Sequence, residues 1–332
     1  MSTASNDENL EIRAFLYNAS GNDAVLERDG IDIASVSDDQ LLWINVSTDD
    51  DPDLRSLFEE LQLPEFLVRR VEKRDERPTI EKFDDLFRFN IHSIITEKGK
   101  SPSRTAIEFI VGKNAVITIQ ESEISYFSEF RERDRGETHF GQLDAESFVC
   151  TLLDLHLVSY FEALEEVERK VDKLDERVLK RDLETDEFLQ NMVDLRNDVS
   201  KLRRWLLPHR DVIYSLSRAD FQQIAQSDSA ERFRMLNQHF ENAVNAIESS
   251  RDTVLSTFDL YATKAAQTMN IFIQRLTFLT LITGSLSVIA GILGMNYKVG
   301  FFDSPMGFWL TIAGMLLVGV GLTIIARFRR WI

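Results

Sequence analysis

The chain has 332 residues and a formal net charge of −17 at pH 7, which is long enough for one soluble domain and a helical membrane module. The acidic balance argues against nucleic acid as a partner, because a protein that contacts phosphates needs a basic surface. One cysteine, Cys150, excludes an intrachain disulfide and a cysteine-based zinc site. Residues 1–13 lack a basic-then-apolar signal pattern, so we expect the bulk of the chain to stay in the cytoplasm.

Residues 1–144 mix strand and helix patterns, which predicts an α+β cytoplasmic domain. Asp51-Pro52 is typical of a helix start, with Asp as the N-cap and Pro at the first helical position. Gly112 lies in a short turn between two β-rich runs and predicts a hairpin. The predicted elements are strands Glu11–Tyr17, Leu41–Val46, Arg104–Val111 and Ala115–Gln120, and helices from Asp51 to Leu61 and from Pro64 to Arg74.

Residues 145–229 are predicted to form cytoplasmic antiparallel helices. Helical periodicity with interleaved Glu and Lys runs over Ala145–Arg181 and again over Glu184–Leu207. The segment Leu202–Asp211 (LRRWLLPHRD) closes the pair. Pro208 is expected to break the helix there, while the arginines pair with nearby acids.

The stretch Glu231–Asn296 contains no proline and predicts one long helix. Residues 230–275 are polar and amphipathic and would form a stalk. Residues 276–297 carry no charge, which predicts a first transmembrane helix.

A polar or small stripe runs along one face of this helix in alternating steps of three and four residues. Its members are Asn270, Ile273, Thr277, Thr280, Gly284, Ser287, Gly291 and Gly294. Two interpretations fit the spacing equally well. Small residues let membrane helices pack closely, or several copies turn the stripe towards a common axis and enclose a water-filled pore.

A second uncharged span is predicted at residues 304–326, after an external loop at 298–303. The tail, residues 327–332, carries three arginines, whereas the loop holds one Lys and one Asp. The positive-inside rule therefore places both termini in the cytoplasm of a protein that crosses the cell (inner or plasma) membrane twice.

The stripe ends in Gly294-Met295-Asn296, just before the loop and the closing span. This tripeptide at the outer end of the first of two C-terminal spans resembles the CorA family of divalent cation transporters, and the resemblance covers nearly the whole chain. It implies a CorA-like fold, a homopentamer in the lipid bilayer and Mg²⁺ as the transported ion. It also assigns the selectivity motif to Gly294, Met295 and Asn296, with Asn296 holding the hydrated ion.

The residue types along the stripe fit this role. Mg²⁺ keeps its waters, and a ring of Asn amides offers them neutral hydrogen-bonding groups. Ile273 and Leu276 would form an apolar constriction that gates by dewetting, and Gly294 would end the helix. Met295 is expected to pack against the second span. The transported divalent cation is the only ligand expected, without a cofactor.

Two rival interpretations remain open. A ZntB-like Zn²⁺ importer is suggested by the segment Leu202–Asp211, and by the resemblance that places Met235 where CorA-type proteins carry an aspartate that senses Mg²⁺. A membrane anchor that transports nothing would have a randomly polar first span, which the ordered stripe disfavours. An enzyme is not expected, because no nucleophile–base or metal-ligand constellation is present.

Overall fold

A computed structural model describes residues 11–21, 23–48, 51–72, 77–96, 101–133, 144–180, 185–218, 220–221, 224, 229–295 and 305–328. The chain divides into two compact units, which we call the first unit (residues 1–255) and the second unit (residues 256–332).

The first unit contains a seven-stranded mixed sheet with the order β2-β1-β3-β7-β6-β5-β4. Its strands are β1 Glu11–Asn18, β2 Ala24–Leu26, β3 Gln40–Ser47, β4 Ile80–Lys82, β5 Phe87–Ile95, β6 Ser103–Val111 and β7 Ala115–Gln120. β3 and β7 pair in parallel at the centre, and the other neighbours are antiparallel. The two predicted N-terminal strands and the predicted hairpin are confirmed, whereas the short strands β2 and β4 and the nine-residue strand β5 were not predicted.

Side chains of β3 alternate between two cores, as the period of two requires. Leu42, Ile44 and Val46 belong to a cluster on one face, which also holds buried side chains of α1 (Asp51–Glu60) and α2 (Glu65–Glu72). Trp43 points to the other face, where its ring centroid lies 5.4 Å from those of Phe127 and Phe148. Its indole N–H donates to Thr118 Oγ1 at 3.0 Å, so its one polar atom is satisfied.

Long helices make up the rest of the first unit. They are α3 Ser125–Arg133, α4 Ala145–Lys180, α5 Thr185–Leu206, a 3₁₀ turn Leu207–His209, α6 Arg210–Ser217 and the first part of α7 Ala230–Leu293. Arg177 near the end of α4 contacts Glu187 near the start of α5 through both guanidinium nitrogens, which fits the predicted antiparallel pair. α3 was not predicted.

The α-helix α5 ends at Leu206, two residues before Pro208, as the predicted break requires, but helical structure continues through one 3₁₀ turn into α6. Proline lacks an N–H, and a tighter turn accommodates that loss without a full break. The predicted pairing of arginines with acids is confirmed, because Arg203 Nε lies 2.5 Å from Glu248 and Arg210 lies 3.0 Å from Glu241.

The described part of the second unit consists of the rest of α7 and of α8, Pro305–Phe328. Three described helices are long and apolar enough to cross a membrane: α4, α7 and α8. The apolar window of α4 is 61% buried within the fold, whereas the windows of α7 and α8 are 0% buried. α4 is therefore a core helix, and only α7 and α8 present their apolar surface to the outside.

Candidate functional site

The predicted stripe lies on the exposed surface of α7. All of its described members are exposed, and the same holds for Leu276 and Met295, with Ile273 at 51% and Leu276 at 52%. The uncharged end of α7 thus exposes its polar face in the single chain. Polar groups in a bilayer need hydrogen-bond partners or water, so this face requires contacts that the single chain does not supply.

The opposite side of α7 is partly covered, because its uncharged end carries a set of half-buried side chains there. At about 100° per residue, these side chains point roughly 170° away from the stripe. They are Ile271, Phe278, Ile282, Ser285, Leu286, Ile289 and Leu293. The matching half-buried positions on α8 include Thr311, Met315 and Gly319. Leu286 on this side lines one groove together with residues of α8, so the second span lies behind α7 and leaves the stripe free.

One hydroxyl group on the stripe is held as a hydrogen-bond acceptor. Thr280 Oγ1 donates to the carbonyl oxygen of Leu276 at 2.8 Å, so only its lone pairs are available outwards. Thr277 and Ser287 make no side-chain hydrogen bond to any described residue. Waters around a cation turn their hydrogens outwards, so a wall of acceptor oxygens suits a hydrated cation.

A concave surface centres on Gly284, where the missing side chain opens space between neighbouring turns. A Cβ atom at Gly284 would have nothing within 4 Å. Thr277 and Thr280 of the stripe line this concavity, and Ser285 and Val288 line it as well. Val288 lies beside the stripe, whereas Ser285 lies at the edge of the concavity on the side of α7 towards α8, so a pattern of one residue per turn includes neither.

The outer end of α7 is described as far as Met295, and Asn296 lies outside the described residues. The helix ends at Leu293, and the N–H of Gly294 still donates to Ala290 O at 2.9 Å. Gly294 therefore ends the helix at the predicted place, but without a positive φ angle. Met295 is 59% exposed, and its packing against the second span remains a prediction.

Charges in the described second unit are segregated around α7. Asp259 is exposed and precedes Asn270 by eleven residues, about three turns, so it extends the stripe towards the N-terminal end. Lys264 and Arg275 point to the opposite side. Asp259 was not predicted, although the spacing of three and four residues continues from Asn270 through Ala266 and Thr263 to Asp259.

A second polar cluster is buried in the first unit, where His92, His156 and His209 meet from β5, α4 and the 3₁₀ turn. The backbone N–H of His92 donates to His209 Nε2 at 2.8 Å. Burial lowers the pKa of His92 to about 4 and that of His209 to about 3. Tyr160 donates to His92 O at 3.1 Å, so the cluster fastens α4 to the sheet.

This histidine cluster does not form a metal site. Among the described residues, no group of three or more His, Cys, Asp or Glu side chains is arranged to hold a metal ion. Met235, at the position of the sensing aspartate that the resemblance implies, presents a side chain that is 56% exposed.

Comparison with protein families finds a match over residues 38–330 to the model described as CorA-like Mg²⁺ transporter protein. The cobalt/magnesium transport protein CorA of Thermotoga maritima is 26% identical over 268 residues, which cover 77% of this chain and 73% of that protein.

Solved structures show the same fold. The complete CorA magnesium transporter from Methanocaldococcus jannaschii superposes with a TM-score of 0.76 at 20% identity, over 96% of this chain and 98% of that one. The cytoplasmic domain of ZntB from Vibrio parahaemolyticus has a TM-score of 0.60 at 15% identity, over 77% of this chain and 99% of that one. These likenesses establish an α/β N-terminal domain followed by long helices and C-terminal apolar helices.

Proposed function

Because the chain belongs to the family of CorA-like Mg²⁺ transporter proteins, we propose that this divalent cation transporter is a homopentameric pore that imports Mg²⁺ down the membrane potential. In this proposal the chain crosses the cell membrane twice, with residues 276–297, which include the end of α7, and with residues 304–326, which include most of α8. The loop at 298–303 faces outwards, and the domain 1–144, the helices 145–229, the stalk 230–275 and the tail 327–332 are cytoplasmic.

One observation carries the proposal: the exposed stripe and Asp259 share one side of α7. The other side holds Lys264 and Arg275, the two cations in the described second-unit part of α7, and faces the second span. A single chain supplies only one wall of a conduit. Several copies around an axis would enclose the stripe, and this closure removes the cost of polar groups facing hydrocarbon.

The proposed conduit handles a cation that keeps its hydration shell. Oxygen acceptors of Thr277, Thr280 and Ser287 would replace the outer waters one by one, without stripping the inner shell that Mg²⁺ holds tightly. A ring of Asn296 amides at the outer mouth would select for this hydrated ion through hydrogen bonds. Asn270 would supply a second amide ring near the cytoplasmic end.

Ile273 and Leu276 interrupt this polar wall with large exposed aliphatic side chains. Brought together by several copies, they would form a ring that closes by excluding water. A divalent cation gains about 4.6 kcal/mol per 100 mV of inside-negative potential, so import needs no other energy source. Residues 1–275 carry a net charge of −20, which favours cations at the cytoplasmic exit.

Cysteine accessibility tests the conduit with a matched pair of serines. Ser287 is exposed on the stripe, whereas Ser285 points about 160° away, is half-buried and donates to Leu281 O at 2.7 Å. Cys150 is buried and desolvation raises the pKa of its thiol to about 12, so it stays unreactive.

In liposomes, a cationic thiol reagent should block Mg²⁺ flux through Ser287→Cys and spare flux through Ser285→Cys. Asn296→Ala should abolish selective uptake while the first unit stays folded. Equal block at both cysteines, or unchanged uptake by Asn296→Ala, would show that the stripe does not face the ions.

A second candidate function, Zn²⁺ import, is favoured by the likeness to the ZntB cytoplasmic domain and by Met235 at the expected sensor position. The two candidates differ in the preferred ion. Flux of Zn²⁺ and Mg²⁺ into liposomes, with and without a pH gradient, separates them. An absence of flux for every ion would support a membrane anchor instead.

A further inference from the structure

An apolar groove runs between the two helices of the second unit, away from the stripe. It encloses about 450 Å³ and is lined by Leu286 of α7 and by α8 residues between Ile312 and Ile324. This volume is within the range of sites that hold small organic ligands, roughly 300–1,000 Å³. Gly319 lies in its floor, and a Cβ atom there would have nothing within 4 Å.

The chemistry of the groove is that of a hydrocarbon site. Thr323 supplies the one side-chain hydroxyl of the lining, and this hydroxyl donates to Gly319 O at 2.8 Å. The lining therefore offers an occupant no side-chain hydrogen-bond donor. An alkyl chain satisfies such a surface, and a polar ligand does not.

One end of the groove carries positive charge. Gly319, Thr323 and Arg327 follow each other at intervals of four residues, so the exposed Arg327 continues the row of α8 that lines the groove. Arg275 precedes Leu286 by eleven residues, about 16 Å of helix, and points to the side of α7 that faces α8. In the two-span arrangement of the proposed function, on which this inference rests, both arginines lie at the cytoplasmic surface of the bilayer.

We propose that this groove binds an anionic phospholipid from the cytoplasmic leaflet, with one acyl chain along Gly319 and the headgroup phosphate on Arg327. An apolar channel that ends in a guanidinium complements an acyl chain that ends in a phosphate. A second copy of this chain fits less well. Among the described residues of the second unit, Asp259 is the one anion, and it lies on the stripe side of α7.

The test is native mass spectrometry of the delipidated full-length oligomer, titrated with phosphatidylglycerol or with phosphatidylcholine. The wild-type protein should bind phosphatidylglycerol about fivefold more tightly, as expected for one cation at the membrane surface. Gly319→Leu fills the groove and should lose this binding. Gly314→Leu is the matched control, because Gly314 is exposed, does not line the groove and would also have nothing within 4 Å of an added Cβ atom.

Arg327→Gln tests the charge without filling the groove, and remains informative if Gly319→Leu does not fold. It should lower the affinity for phosphatidylglycerol to that for phosphatidylcholine. Lys264→Gln, which removes a cation elsewhere on α7, should leave the preference unchanged.

Three results would overturn the inference. The first is equal binding of both lipids by the wild-type protein, and the second is an equal loss of phosphatidylglycerol binding in Gly319→Leu and Gly314→Leu. The third is a changed oligomer mass with unchanged lipid binding in Gly319→Leu, which would identify a second copy as the occupant. Mg²⁺ flux by the wild-type protein in the same lipids separates the two proposals. If the protein transports Mg²⁺ but shows no lipid preference, the proposed function stands and the lipid site is refuted. If it binds phosphatidylglycerol but transports no Mg²⁺, the lipid site stands and the proposed function is refuted.

Discussion

The two units use similar helices in opposite ways. α4 in the first unit is as suited by composition to a membrane as α7 and α8, yet most of its apolar window is buried against its neighbours. Phe148 of α4, for example, packs on Trp43 and is 0% exposed. The second unit has the reverse arrangement, since its apolar windows are bare.

Polar groups follow the same division. Arg88 in the first unit is 0% exposed and makes a two-pronged ion pair with Glu108 at 3.0 Å. The hydroxyls of Thr277 and Ser287 in the second unit are exposed and have no partner among the described residues. The single chain thus pairs a buried charge in the first unit, but leaves these hydroxyls on the uncharged end of α7 without a protein partner.

Replacing tryptophans in the two units gives the largest expected contrast. Trp43→Ala removes a fully buried side chain and its bond to Thr118, and should lower the free energy of unfolding of the first unit by about 3–5 kcal/mol. Trp309 of α8 is 68% exposed, so Trp309→Ala should leave that free energy within about 0.5 kcal/mol. Chemical denaturation in detergent measures both free energies. Equal losses of stability would contradict the contrast between a buried core in the first unit and exposed apolar helices in the second.

Acid should destabilise the first unit through its histidine cluster. Burial holds the pKa values of His92, His156 and His209 below the usual 6.5, so the unfolded chain binds protons first as the pH falls. Stability is complete above pH 6.5 and declines as the pH falls towards about 4, by about 1.4 kcal/mol per pH unit for each histidine.

Burial raises the pKa of Glu146 to about 7, so protonation of Glu146 stabilises the folded state as the pH falls and partly masks the effect of the histidines. Variants of single histidines are therefore compared at the same pH values. His156→Gln should reduce the acid slope, measured as hydrogen exchange of β5 between pH 6.5 and 4.5. His239→Gln, at an exposed histidine that contacts Asp154, should preserve the slope. An unchanged slope in His156→Gln would show that the cluster does not stay neutral.

The start of α4 offers a smaller effect. Asp144 Oδ1 accepts the N–H of Ser147 at 2.7 Å, so Asp144→Ala removes a helix cap and should cost about 1 kcal/mol. Asp154→Ala, in the middle of the same helix and exposed, should change stability by less than about 0.5 kcal/mol. Thermal unfolding of both variants measures the difference, and the expectation fails if Asp154→Ala is the more damaging.

The smallest expected effect tests the charge segregation of the second unit. Asp259→Asn should reduce Mg²⁺ flux about threefold at low salt and less at physiological salt, because an exposed carboxylate attracts cations through a screened field. Lys264→Gln, on the opposite side of α7, should not reduce flux. A loss in Lys264→Gln equal to that in Asp259→Asn would remove the distinction between the two sides.

Elements with strong local patterns were predictable from the sequence. The hairpin around Gly112 and the start of α4 at Ala145 appear where turn residues and periodicity placed them. The strands β2 and β4 escaped prediction because each has three residues, too few for a period of two to be distinguished from chance. β5 was missed although its apolar and polar residues alternate from Phe87 to His92. The stripe and the long helix that carries it were predicted, and Asp259 was missed although the same spacing reaches it.

The sequence by itself determined the periodic and chemical facts of this protein: a long helix without proline, an uncharged end with a polar stripe, and the motif Gly294-Met295-Asn296. Local patterns suffice there, because helix geometry turns spacing directly into a face. Only the tertiary structure decided that α4 is a core helix, that three distant histidines meet, and that α8 packs behind the stripe. These depend on which surfaces bury each other, and hydropathy measures how much a helix needs burial without stating what buries it.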